Sequence, residues 1–328
     1  MNDILISENI AGASVDALAS RFKVSFQPNL WKDQPALTQA AAQSRTLLVR
    51  NNTRVDADLL KAAPSLLAVG RAGVGLDNVD MKAAAELGIV VTFTPDQNSI
   101  SAAELAMSFI LALARNIPAA TQDTCAGNWN RNRFMGGVEL YGKTLGILGA
   151  GKIGFLTASR ARAFGMNILA CDPFLSEDHV FLRELCAQQV EIDDLLSRSD
   201  FISCHVPASR STDGMLNGAR LRKMKPTAFL INTSRGRLIV EEDLVEVLKA
   251  NLIAGAALDV RRTEPPVAGE LETLPNVILT PHIGAFTREA QERVTRTVCV
   301  DIARLLDGQP ALNAATTFKK PRRTVATA

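Results

Sequence analysis

Three apolar runs toward the C-terminal end of the chain each finish on a group able to do chemistry. Residues 228–232 lead into Thr233, Ser234, Arg235 and Gly236; residues 255–258 lead into Asp259 and then Glu264; residues 277–280 lead into Pro281 and His282. Imidazole is the usual group for moving a proton near neutral pH. A carboxylate bonded to its far nitrogen fixes the tautomer and stabilises the imidazolium. The planar fork of an arginine grips a substrate carboxylate at two points. Arg235, Glu264 and His282 together therefore suggest an active site. Their positions just past the ends of strand-like segments are where open α/β sheets bind ligands.

The elements that must position these groups form two blocks. Apolar runs at 4–7, 22–26, 46–50, 66–70 and 89–92 alternate with helical stretches such as 15–21. A second block repeats the pattern at 144–149, 167–172, 201–205 and the three runs above, with helical spacing over 241–252. Strands alternating with helices predict βαβ units and parallel sheets. Between the blocks, residues 99–116 predict a helix apolar nearly all round, buried between domains or subunits. Ser101 and Glu104 read as its capping box. A helix over 288–306 can return to pack on the first block and make that domain discontinuous. The expected division is 1–98 with 289–328, and 99–288.

The second block carries a cofactor signature. Gly149-Ala-Gly151-Lys152-Ile153-Gly154 follows a strand and opens a helix over 153–164, and Asp172 ends the next strand eighteen residues beyond Gly154. In that context a G-x-G-x-x-G signals a dinucleotide. The first glycine permits the tight turn, the second lets backbone approach a pyrophosphate, and the third lets helix pack on strand. The pyrophosphate rests on the helix N-terminus, near Lys152 and Ile153. Asp172 reads as the ribose-binding carboxylate, which repels a 2′-phosphate and selects NAD.

The whole-chain figures agree with a two-domain globular protein. The 328 residues are 47% apolar and 21% charged, with only 5% aromatics, which suits aliphatic parallel-sheet cores. The net charge is +2, of which Lys319, Lys320, Arg322 and Arg323 supply +4, leaving −2 for the rest. That balance argues against nucleic acid as a partner, and the tail reads as a solvated terminus. Five scattered cysteines without a C-x-x-C pair signal neither zinc nor a disulfide framework. With no signal peptide and no apolar stretch long enough to span a bilayer, the expected setting is cytoplasmic, without metal or membrane. His179 lies in a charged helical stretch, and His205 ends a strand, where either a backbone cofactor contact or a structural role fits.

These motifs, with those at 70–80, 98–105, 142–154, 232–236, 258–266 and 280–284, resemble the D-2-hydroxyacid dehydrogenases over about residues 4 to 310. Within that family the likeness is nearest to the 3-phosphoglycerate dehydrogenases. The resemblance implies an α/β fold of two Rossmann-like, doubly wound parallel-sheet domains with the active site in the cleft, and a homodimer formed through the cofactor domains. It implies that Arg235 binds the substrate carboxylate, His282 is the acid/base and Glu264 its partner. It places Thr233, Ser234, Asp259 and Gly284 in the NAD site. Substrate contacts fall at Arg50 and Asn51, at Arg71, Ala72 and Gly73, and at Arg131. Three arginines imply a second anion on the substrate, with 3-phosphoglycerate leading. Two departures stand out: Asn51-Asn52 where smaller residues are usual, and Arg261-Arg262 where an aromatic is usual. No C-terminal regulatory domain, and so no serine feedback through one, is expected. The alternatives are a reductase of glyoxylate or hydroxypyruvate, a dehydrogenase of another acid such as sulfolactate, and an NAD-sensing corepressor of the same fold.

Overall fold

The computed structural model describes residues 1–316; the basic tail at Lys319 to Arg323 lies outside the described residues. The chain divides into two units. One is Met1–Asn98 with the chain from Thr287 onward, the other Ser99–Phe286.

The first unit alternates β1 (Asn2–Ile6), α1 (Ala13–Ala19), β2 (Val24–Phe26), α2 (Gln34–Ala42), β3 (Ser44–Val49), α3 (Ala57–Ala62), β4 (Ala68–Arg71), α4 (Met81–Glu86) and β5 (Val90–Thr92). The strands form one parallel sheet in the order β2-β1-β3-β4-β5. The order reverses between β1 and β3, and the loops after those two strands meet there. Three helices begin on an aspartate: Asp33, Asp56 and Asp80 accept the N–H of Ala36, Leu59 and Ala83 at 3.0, 3.0 and 2.9 Å. These bonds satisfy donors that a helix start otherwise leaves orphaned.

The second unit runs through α5 (Ser99–Ala114), α6 (Ile117–Cys125), β6 (Thr144–Leu148), α7 (Lys152–Ala163), β7 (Asn167–Cys171), α8 (Val180–Leu185), β8 (Gln188–Gln189), α9 (Ile192–Arg198), β9 (Phe201–Cys204), α10 (Gly218–Leu221), β10 (Phe229–Asn232), α11 (Glu241–Lys249), β11 (Gly255–Leu258) and β12 (Val277–Leu279). Its seven strands are parallel in the order β12-β11-β10-β9-β6-β7-β8. The switch point lies between β6 and β9. Alternation along the strands splits the core. Leu145, Ile147, Phe201 and Ile231 pack with Ala106, Met107 and Ile110 of α5. Leu148, Ile202, Leu230 and Leu258 pack with Leu244, Val247 and Leu248 of α11. Each such fully buried aliphatic side chain stabilises the fold by about 1.5–3 kcal/mol.

α12 (Arg288–Leu306) belongs to the first unit. Its apolar stripe of Val294, Val298, Cys299 and Ile302 covers one face of the first sheet. Gly70 allows this closeness, since a Cβ there would lie 2.8 Å from Val298 Cγ2. The chain then turns back on buried Asp301, which accepts the N–H of Leu312 and Asn313, and Ala314 bridges Thr92.

Two local expectations need correction. α5 begins at Ser99, so Ser101 and Glu104 lie within its first turns rather than at the cap. Glu104 instead pairs with Arg160 of α7 at 3.2 Å. β8 was not expected, since two glutamines at a sheet edge carry no apolar signal.

Candidate active site

The three reactive groups follow β10, β11 and β12, which are adjacent in the sheet. His282 Nδ1 lies 2.7 Å from Glu264 Oε2. The other carboxylate oxygen, Oε1, accepts the N–H of Arg261 at 3.1 Å. Partial burial pushes the Glu264 carboxyl up. The bond and charge of His282, the Arg261 N–H and the charge of Arg235 outweigh that and hold it below its ordinary value. Glu264 is therefore ionised at neutral pH and can stabilise a protonated imidazole.

Each loop is built by polar side chains at the strand ends. Asn232, fully buried, ends β10 and folds the next turn. Its Nδ2 donates to Arg235 O at 2.9 Å and its Oδ1 accepts Ser234 N–H at 3.0 Å. The Ser234 hydroxyl donates to Val206 O, and Arg235 Nη1 donates to Ser234 O at 2.8 Å. Asp259, buried past the end of β11, builds the turn that carries His282. It accepts from Thr280 Oγ1 at 2.6 Å, Ile283 N at 2.8 Å and Gly284 N at 2.7 Å. His282 sits in the left-handed region at φ 57°, which is uncommon outside glycine. Its N–H is held by Asp259 O at 2.8 Å and Thr280 O at 3.0 Å.

The glycine turn follows β6 at the switch point. Gly149 has φ +94°, and a Cβ there would lie 2.8 Å from the His205 carbonyl carbon. At Gly154 a Cβ would come within 2.2 Å of Gly149 O, so only glycine lets α7 close on β6. At Gly151 a Cβ would meet nothing within 4 Å, so that side is open. Gly151 is also the N-cap of α7 and provides no capping side chain. Asp172 accepts Ala150 N–H at 2.8 Å and Phe174 N–H at 2.9 Å, which ties the end of β7 to the turn. Lys152 is exposed and Ile153 half-buried at the start of α7.

The candidate substrate groups are distributed over both units. After β3, the guanidinium of Arg50 donates to Asn9 O at 3.3 Å and to Gln291 Oε1, and Asn51 is exposed. Glu8, 3% exposed, draws this loop together by accepting the N–H groups of Arg50, Asn52 and Thr53 at 2.7, 3.2 and 2.9 Å. Arg71 lies across its own loop. Its Nη1 donates to Ala72 O at 3.2 Å and occupies the space a side chain on Gly73 would fill. Arg131 is exposed in the second unit, on a turn near Asp123, which binds Asn130 and Arg133.

Residues 107–284 match the family described as D-isomer specific 2-hydroxyacid dehydrogenase, NAD binding domain. A D-3-phosphoglycerate dehydrogenase of Archaeoglobus fulgidus is 40% identical over 95% of this chain and 58% of its own length. The chain belongs to the D-2-hydroxyacid dehydrogenase family. It spans a little over half the length of the curated relatives it matches. A crystal structure of a Thermus thermophilus protein has a TM-score of 0.89 at 32% identity, covering 96% of this chain and all of the other. An NADPH-dependent glyoxylate/hydroxypyruvate reductase of Sinorhizobium meliloti has a TM-score of 0.85 at 29% identity, covering 98% of this chain and 100% of the other.

In this family member the second unit fits NAD on structural grounds. The open side of Gly151 and the uncapped start of α7 suit a pyrophosphate. Two buried polar atoms at the neighbouring strand ends, His205 Nδ1 and Thr233 Oγ1, have no hydrogen-bond partner among the described residues. His205 otherwise faces inward, with Nε2 2.9 Å from Ser203 Oγ, and burial pushes its imidazole down to about 3. It is neutral at working pH.

Several contributors to the candidate site escape a reading of the sequence. Thr280, Glu8 and Arg261 act through partners that only the fold brings near, whereas those of Asn232 lie two and three residues on. For Asn232 a signal existed, since an amide at a strand end followed by a tight turn often bonds its own backbone.

Proposed function

We propose that this chain is an NAD-dependent oxidoreductase that transfers a hydride between nicotinamide and C2 of a small D-2-hydroxy acid with a second anionic group, 3-phosphoglycerate leading. The observation that carries the reading is the 2.7 Å contact of His282 Nδ1 with Glu264, beside the Arg235 loop and in one unit with a dinucleotide turn. The similarity to a D-3-phosphoglycerate dehydrogenase and to a glyoxylate/hydroxypyruvate reductase supports this substrate class.

In the oxidising direction the C2 hydroxyl gives its proton to His282 Nε2, because Nδ1 is held by Glu264. Glu264 stabilises the imidazolium as it forms. A bound NAD would supply the redox chemistry by accepting the C2 hydrogen as hydride, which would leave a 2-oxo acid. Reduction reverses each transfer, with His282 donating the proton. Arg235 grips the substrate carboxylate at two points and aims C2.

Asp172 takes the adenosine ribose hydroxyls and disfavours a 2′-phosphate. Gly149, Gly151, Lys152, Ile153 and Gly154 are assigned to the pyrophosphate, and His205, Thr233, Ser234 and Gly284 to the nicotinamide side. Asp259, whose oxygens hold the 280–284 turn, serves the same side through that turn. Arg50, Asn51, Arg71, Ala72, Gly73 and Arg131 are assigned to the rest of the substrate. One observation favours a smaller acid such as glyoxylate or hydroxypyruvate: the Arg50 guanidinium is already engaged by Asn9 and Gln291.

The assembly is proposed to be a homodimer through the cofactor unit. In support, Trp129, Met135 and Tyr141 are 78%, 80% and 81% exposed there, more apolar surface than solvent favours. The proposed setting is cytoplasmic, in keeping with five free cysteines. Among the described residues no single helix is long and apolar enough to cross a membrane.

Initial rates of NADH formation with 3-phosphoglycerate, glycerate, lactate and sulfolactate, and of NADH oxidation with glyoxylate and hydroxypyruvate, test the reading. The highest kcat/KM is expected with 3-phosphoglycerate. Tight NAD binding with no turnover of any acid overturns the enzyme reading.

A further inference from the structure

Arg261 has no part in the chemistry above, yet it is tightly constrained beside the site. Its side chain is only 11% exposed, which is rare for a charged loop residue that lacks partners. Nε and Nη2 donate to Glu241, in the first turn of α11, at 3.3 and 2.9 Å. Nη1 donates to Glu272, on the turn Leu271–Thr273. The backbone of the same residue faces the site. Its N–H donates to Glu264 Oε1 at 3.1 Å, and its carbonyl carbon abuts Gly236, the residue after Arg235. Glu241 also accepts the N–H of Arg262.

An ion pair at this depth is worth little in net stability, because desolvation offsets the attraction. A guanidinium held on two sides by carboxylates from separate elements does fix direction. Behind the clamp lies the chain from Asp259 to Glu264, which carries the carboxylate on His282.

We infer that Arg261 is a positioning residue for the proton-transfer pair: the Glu241–Arg261–Glu272 clamp fixes the backbone on which Glu264 is held, and so keeps Glu264 on His282. The catalytic consequence depends on the proposed dehydrogenase reading; the hold on His282 is testable without turnover. The charged groups around His282 in this unit are Glu264 on its ring, Asp259 against its backbone and Arg235 acting on Glu264. Arg261, Glu241, Glu272, Arg262 and Asp213 stand behind them.

The test compares, at one fixed pH, the Nδ1 ring signal of His282 by NMR in wild type, Glu264→Gln, Arg261→Met and Arg261→Lys. The chain has three histidines, so the assignment is tractable. Glu264→Gln should move that signal by replacing the carboxylate that contacts Nδ1. Arg261→Met should move it in the same direction by part of that amount, and Arg261→Lys should restore most of it, while the His205 signal stays put. With an acid that wild type oxidises, kcat of Arg261→Met should fall roughly tenfold to a hundredfold, the scale of a misplaced catalytic group, with NAD affinity unchanged. An Arg261→Met protein with the wild-type His282 signal overturns the inference. If that variant fails to fold, Glu272→Gln removes one arm of the clamp, and an unchanged signal there overturns it equally. A wild type that oxidises no 2-hydroxy acid overturns the proposed function, and the NMR comparison still decides the clamp.

Discussion

The α-carbon of Gly236 is packed against the main chain of Arg261. A Cβ at 236 would lie 2.0 Å from the Arg261 carbonyl carbon and 2.1 Å from its oxygen. The loops that meet here carry Arg235 and Glu264, so a backbone contact sets the proposed substrate anchor against the proposed acid–base pair.

Gly236→Ala should therefore damage both at once. Backbone atoms cannot swing aside as a side-chain tip does, and overpacking of this kind costs about 1–3 kcal/mol. Urea unfolding should show that loss, and the surviving folded enzyme should have a raised KM for the acid together with a lowered kcat. Wild-type kinetics in a folded Gly236→Ala protein would show that the two loops are placed independently.

Asp259→Asn should release the His282 turn. The carboxylate accepts three donors, two of them backbone N–H groups on consecutive residues. An amide keeps one acceptor oxygen, so at least one buried N–H loses its partner. Bonds to a charged acceptor are worth about 1.5–3 kcal/mol each, and the urea midpoint should fall accordingly. A midpoint equal to wild type would mean that the turn holds without the charge.

Parallel strands rich in apolar residues announce themselves as short runs. Eleven of the twelve strands among the described residues were legible in this way, and Gln188–Gln189 at the edge was not. The trio was legible because Arg235, Glu264 and His282 each follow such a run closely. The glycine turn was legible for the same reason, through its place between β6 and α7. What positions these groups, and the Arg50 loop of the first unit, was not. Glu8 gathers amides more than forty residues along the chain. The partners of Arg261 lie on α11 and on a turn with no signature of its own. Ser101 and Glu104 have capping-box spacing, yet the helix starts earlier, because packing rather than local capping decides where a buried helix begins.

His205 predicts a pH dependence of stability. Burial pushes its imidazole down to about 3, against an ordinary value near 6.5. The unfolded chain then binds a proton that the folded chain refuses. Stability from this group is complete above about pH 6.5 and is lost as pH falls toward 3, at about 1.4 kcal/mol per pH unit. His205→Gln should flatten the fall in urea midpoint between pH 7 and pH 5. An equal fall in both proteins would place the sensitivity elsewhere.

Asp172→Ala should erode the choice of NAD over NADP. Removing the carboxylate deletes a charged acceptor for the ribose and the repulsion of a 2′-phosphate, so the ratio of kcat/KM values should drop by roughly tenfold to a hundredfold. Unchanged discrimination would refute the ribose assignment.

In the proposed reaction His282 moves the proton while the dinucleotide is held elsewhere in the same unit. Turnover and NAD affinity measured side by side in wild type and His282→Ala separate the two roles. In the variant kcat should fall roughly a hundredfold to ten-thousandfold with the NAD dissociation constant nearly unchanged. Turnover close to wild type, or loss of NAD binding in its place, would contradict it.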